Sequence, residues 1–480
     1  IIFSSNRYGM RSHASWGSQD DAFIAFLNQE SYDKFRLSKE DFELLEEEEK
    51  IMKSIAEKSE KDDKDSKDKD KKKDNKDDNE EKDKPIEVDL DRLDERIIRL
   101  TPMSSHLSGI ELSKDGEKLY FLSAFEKGYD LWELNIREKS TKVLAKLGSG
   151  GASLELDEKG NNLYFLSDGN LKKIDTKTGK STPIKYDATM TLNRADEREY
   201  MFNHVFLQQN KRFFMTNDNG ADFKMLKKEY KKFLPHINNN YDFSEFLSEI
   251  LGELNVSHSG SGYRVPVNGD ITAELGLLFD LTYDGDGLLI DEVLEQGPFD
   301  KKHSKVKAGN IIEKIDNQEI KKGEDYYHLL NKKANKITLV SIYDPITKER
   351  WEETIKPISK GVQSNLMYER WVKNNERMVD SLSDGRLGYV HIRSMGDASY
   401  RDVYADILGK YNRKDGIVID TRFNGGGRLH EDIEILFSGE KYLEQVIRDT
   451  VACVMPSRRY VKPSIMVVGE ANYSNAHGTP

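Results

Sequence analysis

Two stretches of this chain place reactive residue types where a fold could display them. One is Asp420-Thr421-Arg422-Phe423-Asn424-Gly425-Gly426-Gly427, the other Glu470-Ala471-Asn472-Tyr473-Ser474-Asn475-Ala476-His477-Gly478. Each follows an apolar run, Gly416-Ile417-Val418-Ile419-Asp420 or Ile465-Met466-Val467-Val468-Gly469, that reads as a buried strand. In open α/β sheets ligands gather beyond the carboxyl ends of strands. Three successive glycines let the backbone approach a substrate and aim N–H groups at developing negative charge. A serine just past a strand and entering a helix is where an exposed nucleophile can sit. By pattern alone the glycines suit a phosphate cradle or a plain turn equally well, although the lysine-bearing P-loop pattern is absent.

A serine needs a base to lose its proton near neutral pH, and histidine is the usual partner. Ten histidines are present. His258 stands out because it follows a helix end inside Ser257-His258-Ser259-Gly260. His477 lies three residues after Ser474, where a helix would put both on one side but where the imidazole could equally face solvent.

These residues must be positioned by elements that the periodicity outlines. Apolar spacing predicts helices over 197–206, 222–233 and 242–252, the last ended by Gly252 just before the His258 loop. Strands and helices then alternate from Gly388 to Gly469: a strand over 388–392, helices over 399–410 and 429–437, and the two apolar strands already named. Fully apolar strands in such alternation argue for a parallel α/β core. Between the helices and that core, Glu274-Leu275-Gly276-Leu277-Leu278-Phe279 opens a further module of short strands with a short helix over 325–331. Nearer the start, Gly109–Ser123 and Ala152–Ser167 are two copies of strand, Asp/Lys-Gly turn and apolar strand, about 43 residues apart. That period with several short strands is the signature of β-propeller blades.

Composition excludes some functions. Of 480 residues 33% are charged, with Lys+Arg 74 against Asp+Glu 86 and a net charge of -12. Non-specific nucleic-acid binding wants a basic face, so that class is disfavoured, as is docking to anionic lipid. No apolar run reaches the ~18 residues of a membrane span. The single cysteine, Cys453, forms no intrachain disulfide and is read as a buried small hydrophobe. The run from Glu57 to Lys84 is almost entirely Glu, Lys, Asp, Asn and Ser; it reads as disordered or as a solvated helix. The chain opens at Ile1 without Met, so it is expected to be part of a longer protein.

The combination of Glu253-Leu254-Asn255-Val256-Ser257-His258, the module opened by Leu275-Gly276-Leu277-Leu278, Asp420–Gly427 and Asn472–Gly478, in that order, resembles the tricorn protease family of serine peptidases. That family is similar to the C-terminal processing peptidases of family S41, which share the core but use a lysine base. The resemblance implies a multidomain chain: a β-propeller fragment, a helical segment, a PDZ-like domain and an α/β peptidase core of crotonase/ClpP-like type. The expected boundaries are a partial blade over 1–43, the charged insertion over 44–97 and further blades over 98–190. The helical part of the core follows over 191–262, the PDZ-like domain over 263–356 and the α/β core over 357–480.

The resemblance also implies roles. Ser474 is the expected nucleophile, His258 the general base, and Ser257 a member of the relay beside it. The N–H groups of Asn475 and of a glycine in 425–427, above all Gly426 with Gly425 beside it, form the expected oxyanion hole. Leu275, Gly276 and Leu277 take the place of a PDZ carboxylate-binding loop, which captures a peptide terminus through backbone N–H groups. Peptides or oligopeptides are the implied substrates, a homo-oligomer the implied assembly, and no metal or organic cofactor is needed. Cytoplasm is the expected compartment, with periplasm open because an export signal would precede Ile1.

Two departures from the family matter. Asn475 stands where the family has Asp. The acidic residue that continues the family's network lies well beyond the nucleophile, whereas this sequence ends at Pro480, so the chain by itself is expected to be weakly active or inactive. The alternative reading is a non-catalytic propeller–PDZ peptide-binding protein with a decayed or incomplete peptidase core; the presence of both Ser474 and His258 argues against it. A lysine-base peptidase would need a lysine downstream of the serine.

Overall fold

The computed structural model describes residues 1–13, 17–64, 86–125, 127–264 and 269–479. They divide into two compact units, Ile1–Met190 and Thr191–Pro480.

In the first unit β1 (Ile2–Ser5), β2 (Asp21–Ala25) and β3 (Ile97–Arg99) form an antiparallel sheet in the order β1-β2-β3. Between β2 and β3 the chain leaves the sheet through helices α1 (Gln29–Arg36) and α2 (Lys39–Lys64). The charged segment expected over 44–97 is thus helical as far as Lys64, and its most extreme part, 65–85, lies outside the described residues. Two four-stranded antiparallel sheets follow. The first is β4 (His106–Leu112), β5 (Lys118–Ala124), β6 (Tyr129–Asn135) and β7 (Ser140–Ser149). The second is β8 (Ser153–Leu156), β9 (Asn162–Ser167), β10 (Asn170–Asp175) and β11 (Ser181–Ile184). Each sheet runs in simple chain order, as successive hairpins do, with Asp115-Gly116 turning β4 into β5 and Asp168-Gly169 turning β9 into β10. Leu122, Leu131, Leu163, Phe165 and Ile174 from both sheets share one core.

The second unit begins with three capped helices. Asn193 accepts from Ala195 N–H ahead of α3 (Arg194–Arg212), Asp222 from Met225 N–H ahead of α4 (Phe223–Lys231), and Asn239 from Asp242 N–H ahead of α5 (Asn240–Gly252). The helical faces meet in a cluster containing Phe202, Phe206, Phe223, Phe246 and Ile250, each large side chain contributing about 2 kcal/mol of apolar burial.

A mostly antiparallel module follows, with β12 (Ala273–Glu274), β13 (Leu277–Phe279), β14 (Leu288–Val293), β15 (Ile311–Ile315), β16 (Gln318–Glu319), β17 (Thr338–Tyr343), β18 (Arg350–Ile355) and β19 (Ile358–Ser359). Its main sheet has the order β13-β14-β15-β17-β18, with β16 hairpinned to β15. The expected helix over 325–331 is a single 3-10 turn, Tyr327–Leu330.

Helix α6 (Lys360–Leu382), capped by Ser359, leads into the α/β part. Strands β20 (Leu387–His391), β21 (Gly416–Asp420) and β24 (Ser464–Val467) are parallel, in the order β20-β21-β24. Helices α7 (Asp397–Ala405) and α8 (His430–Ser438) and the hairpin β22 (Leu443–Ile447)–β23 (Thr450–Met455) fill the connections. The core gathers Val390, Ile392, Met395, Ile417, Ile419, Leu429 and Ala476.

Two expectations are corrected. The Ile465–Gly469 run is not buried: β24 is the sheet edge, and Ile465 is 63% exposed because no described element covers that side. Cys453 is half-buried on β23, its Sγ bonding Gln445 Oε1 at 3.0 Å across the hairpin. An exposed two-stranded hairpin has no interior in which to bury the thiol.

Candidate active site

Ser474 lies at the first residue of a 3-10 turn, Ser474–Ala476, seven residues past the end of β24. Its backbone is left-handed, with φ of 55°. A non-glycine residue in that region costs energy and persists only where the surroundings fix it. The fixing bonds are visible. Tyr473 N–H donates to Asn424 O at 3.0 Å, and His477 N–H donates to Ser474 O at 3.0 Å.

His258 arrives from the helical segment. After α5, Leu254 is buried in the helical core, and Asn219 Nδ2 donates to Leu254 O at 3.0 Å. Ser259 Oγ donates to Val256 O at 3.0 Å, tightening the turn. His258 is itself left-handed, with φ of 62°. Its Nε2 lies 2.7 Å from Ser474 Oγ, across 216 positions of sequence. Among the described residues His258 Nδ1 has no hydrogen-bond partner.

Tyr473, which pattern reading passed over, joins the two loops. Its Oη accepts from His258 N–H at 2.9 Å and from Ser257 Oγ at 3.1 Å, and its ring lies 4.9 Å from the imidazole. The Ser257 hydroxyl and then the His258 N–H hold the phenol below its ordinary pKa. Ser257 is therefore beside His258, as expected, but its hydroxyl goes to Tyr473 and not to the imidazole. The only sequence signal for Tyr473 is its adjacency to Ser474, since nothing in its type distinguishes it from the other tyrosines.

The glycine loop is built around Asn424, which is fully buried. Its Nδ2 donates to Ile392 O at 2.8 Å, its Oδ1 accepts from Gly426 N–H at 2.9 Å, and its carbonyl holds Tyr473. One amide thus ties the end of β20, the glycines and the serine loop together. At Gly426 φ is 95°, and a Cβ would stand 2.7 Å from Ser474 Cβ and 3.2 Å from Asn475 N. Gly427 has φ of 148°, and a Cβ there would meet Met395 O at 2.0 Å. At these two glycines the backbone comes close to Ser474 and Met395. Gly426 N–H, however, is not free to face a substrate as expected, because Asn424 Oδ1 already takes it. Gly425 is exposed.

Asp420, fully buried, anchors the same loop. Tyr389 Oη donates to Oδ2 at 2.8 Å, and Arg422 donates through Nε and through its own N–H at 3.0 and 2.9 Å. Burial pushes this carboxyl up, but the Arg422 and Tyr389 bonds outweigh it and leave it below the usual carboxylate range.

Asn475 turns its side chain away to the start of α8. Its Oδ1 accepts from Leu429 N–H at 2.9 Å and His430 N–H at 3.1 Å, and Nδ2 meets His430 Nδ1. It closes orphan donors at a helix N-terminus, a job its amide oxygen and a carboxylate do alike. His477 is exposed; it meets Ser474 only through its backbone N–H, while the Ser474 hydroxyl faces His258.

The Leu275-Gly276-Leu277 loop is closed. Gly276 N–H donates to Gln363 Oε1 of α6 at 2.9 Å, and Leu275 and Leu277 are buried in the module's own core. Helix α6 thus takes one of the backbone donors expected to meet a peptide terminus.

Known proteins share parts of this chain. Residues 194–252 match the Tricorn protease C1 domain, and residues 386–479 match Peptidase family S41. A protein of Sulfurisphaera tokodaii described as a tricorn-like protease C-terminal subunit is 27% identical over 374 residues, covering 72% of this chain and 42% of that protein. The tricorn protease of Thermoplasma volcanium is 23% identical over 363 residues, covering 72% of this chain and 33% of the relative. A crystal structure of the tricorn protease superposes with a TM-score of 0.70 at 16% identity, covering 99% of this chain and 44% of that one. The chain thus spans less than half the length of these relatives. The two matched segments carry, or directly precede, the two halves of the His258–Ser474 pair, so the chain is similar to tricorn and S41 peptidases in the regions that hold or adjoin both residues.

Proposed function

We propose that the protein containing this chain hydrolyses peptide bonds of oligopeptides through an acyl-enzyme on Ser474. The observation that carries the reading is the 2.7 Å approach of His258 Nε2 to Ser474 Oγ. A nucleophile and base at hydrogen-bond distance, drawn from remote segments and each held in left-handed backbone, are costly to arrange without a use. Ser474 Oγ attacks the peptide carbonyl as Nε2 takes its proton. The tetrahedral adduct collapses, the C–N bond breaks, and Nε2 returns the proton to the leaving amine. Water then releases the acid by the same path reversed. Tyr473 and Ser257 position the imidazole. Asn475 N–H, with a donor from the 425–427 loop, faces the oxyanion; the Gly426 N–H serves there only if Asn424 releases it.

The repeated four-stranded sheets of the first unit support a reading as β-propeller blades over 98–190, with 1–43 as part of another blade. The 263–356 module is proposed as PDZ-like and acts as a scaffold, because its loop is latched by α6. The helices over 191–262 and the α/β part over 357–480 together make the peptidase core, and a homo-oligomer is the proposed assembly.

An activity-based fluorophosphonate should label wild-type full-length protein at Ser474. Ser474→Ala should abolish labelling, and His258→Ala should slow it by at least about a thousandfold. A wild-type protein that resists the probe and turns over no peptide would sink the proposal.

A further inference from the structure

A cavity of about 550 Å³ opens beside His258. Its far wall is the end of α3 and the turn after it: Gln208, Arg212, Phe213 and Phe214. Val256 and His258 form the near wall. Helix α3 stops here because Phe213 leaves helical backbone, its N–H donating back to Gln209 O at 2.9 Å. Two aromatic rings, 5.0 Å apart, are thereby set at the helix end, and Phe214 is 73% exposed. Phe213 is half-buried against the helical core, so the exposed Phe214 ring beside a reactive histidine is apolar surface that a ligand can cover.

Mechanism decides which part of a peptide would lie there. In acyl transfer the base must return its proton to the leaving nitrogen, so that nitrogen comes within hydrogen-bond reach of the imidazole. The residue after the scissile bond is attached to that nitrogen and lies on the His258 side. The acyl portion lies toward the glycine loop that approaches Ser474 from the other segment. Resting on the peptidase reading above, we propose that the cavity is the subsite for the residue following the cleaved bond and takes a large apolar or aromatic side chain. Phe213, Phe214 and Val256 supply the apolar contact. Arg212 at the rim repels a lysine or arginine side chain.

The test uses full-length protein and internally quenched peptides that differ only at the residue after the cleaved bond, with cleavage sites read by mass spectrometry. Phenylalanine or leucine should exceed glycine in kcat/KM by about tenfold or more, and norleucine should exceed lysine. In Phe214→Ala, whose side chain is too exposed to be needed for folding, the phenylalanine-to-glycine ratio should collapse toward one. A flat profile that the variant does not alter, with hydrolysis still dependent on Ser474, overturns the subsite and leaves the peptidase reading standing. If Ser474-dependent hydrolysis is absent, the peptidase reading falls, and a second arm judges the pocket alone. Ser474→Ala protein is irradiated with a tripeptide amide beginning with benzoylphenylalanine. Cross-links within 208–214 or at Val256 support the pocket, and cross-links elsewhere or none refute it.

Discussion

At the scale of single residues the site is a set of mutual constraints. Tyr473 accepts bonds from Ser257 and His258 and precedes Ser474, so it couples the base loop to the nucleophile loop. Tyr473→Phe keeps the ring but removes this acceptor; fluorophosphonate labelling should slow about ten- to a hundredfold while the melting temperature barely moves. Gly426→Ala should be worse, because a Cβ would collide with Ser474 at 2.7 Å in a backbone region alanine avoids. Asp420 gives a pH prediction. Its folded pKa is depressed, so its contribution is in place above the ordinary carboxylate value and is lost as pH falls through the lower folded value. Asp420→Asn should destabilise by about 2 kcal/mol at neutral pH. It should also flatten the loss of stability that the wild type shows below about pH 4, as read by denaturant melts across pH.

At the scale of elements, side chains from one segment finish another. Asn475 caps α8 from the serine turn, so Asn475→Ala should cost about 1 kcal/mol, whereas Asn475→Asp should hold the cap. Both can be read by thermal melts, and in the second the new carboxylate would face the N-terminus of α8. Gln363 of α6 likewise fills the Gly276 donor. Gln363→Ala should speed hydrogen exchange at the Gly276 amide and lower stability by about 1 kcal/mol.

At the scale of the whole molecule the chain has two units with separate cores. Residues 187–193 between them lack regular structure and are exposed. Among the described residues, limited proteolysis should cut there and leave two fragments that keep their circular dichroism. A single cooperative loss of both, with no stable fragment, would contradict that division.

The sequence alone determined much of this protein, because the signals were local. Apolar periodicity over 197–206, 222–233 and 242–252, the repeated turn signals, and apolar strands ending in Asp420 and the serine loop are written in neighbouring residues, and they mark the elements without reference to anything distant. Ser474 and His258 were legible as candidates by type and context. Only the tertiary structure decided that they meet, since nothing in two loops 216 positions apart encodes their distance. It alone revealed Tyr473 as their bridge and Asn424 as the buried tie. It also showed that the Gly426 and Gly276 donors are already taken, and that Ile465 lies on an exposed sheet edge. Hydrogen-bond partners and cover come from segments remote in sequence, and a polar group's availability depends on which of them arrives first in space.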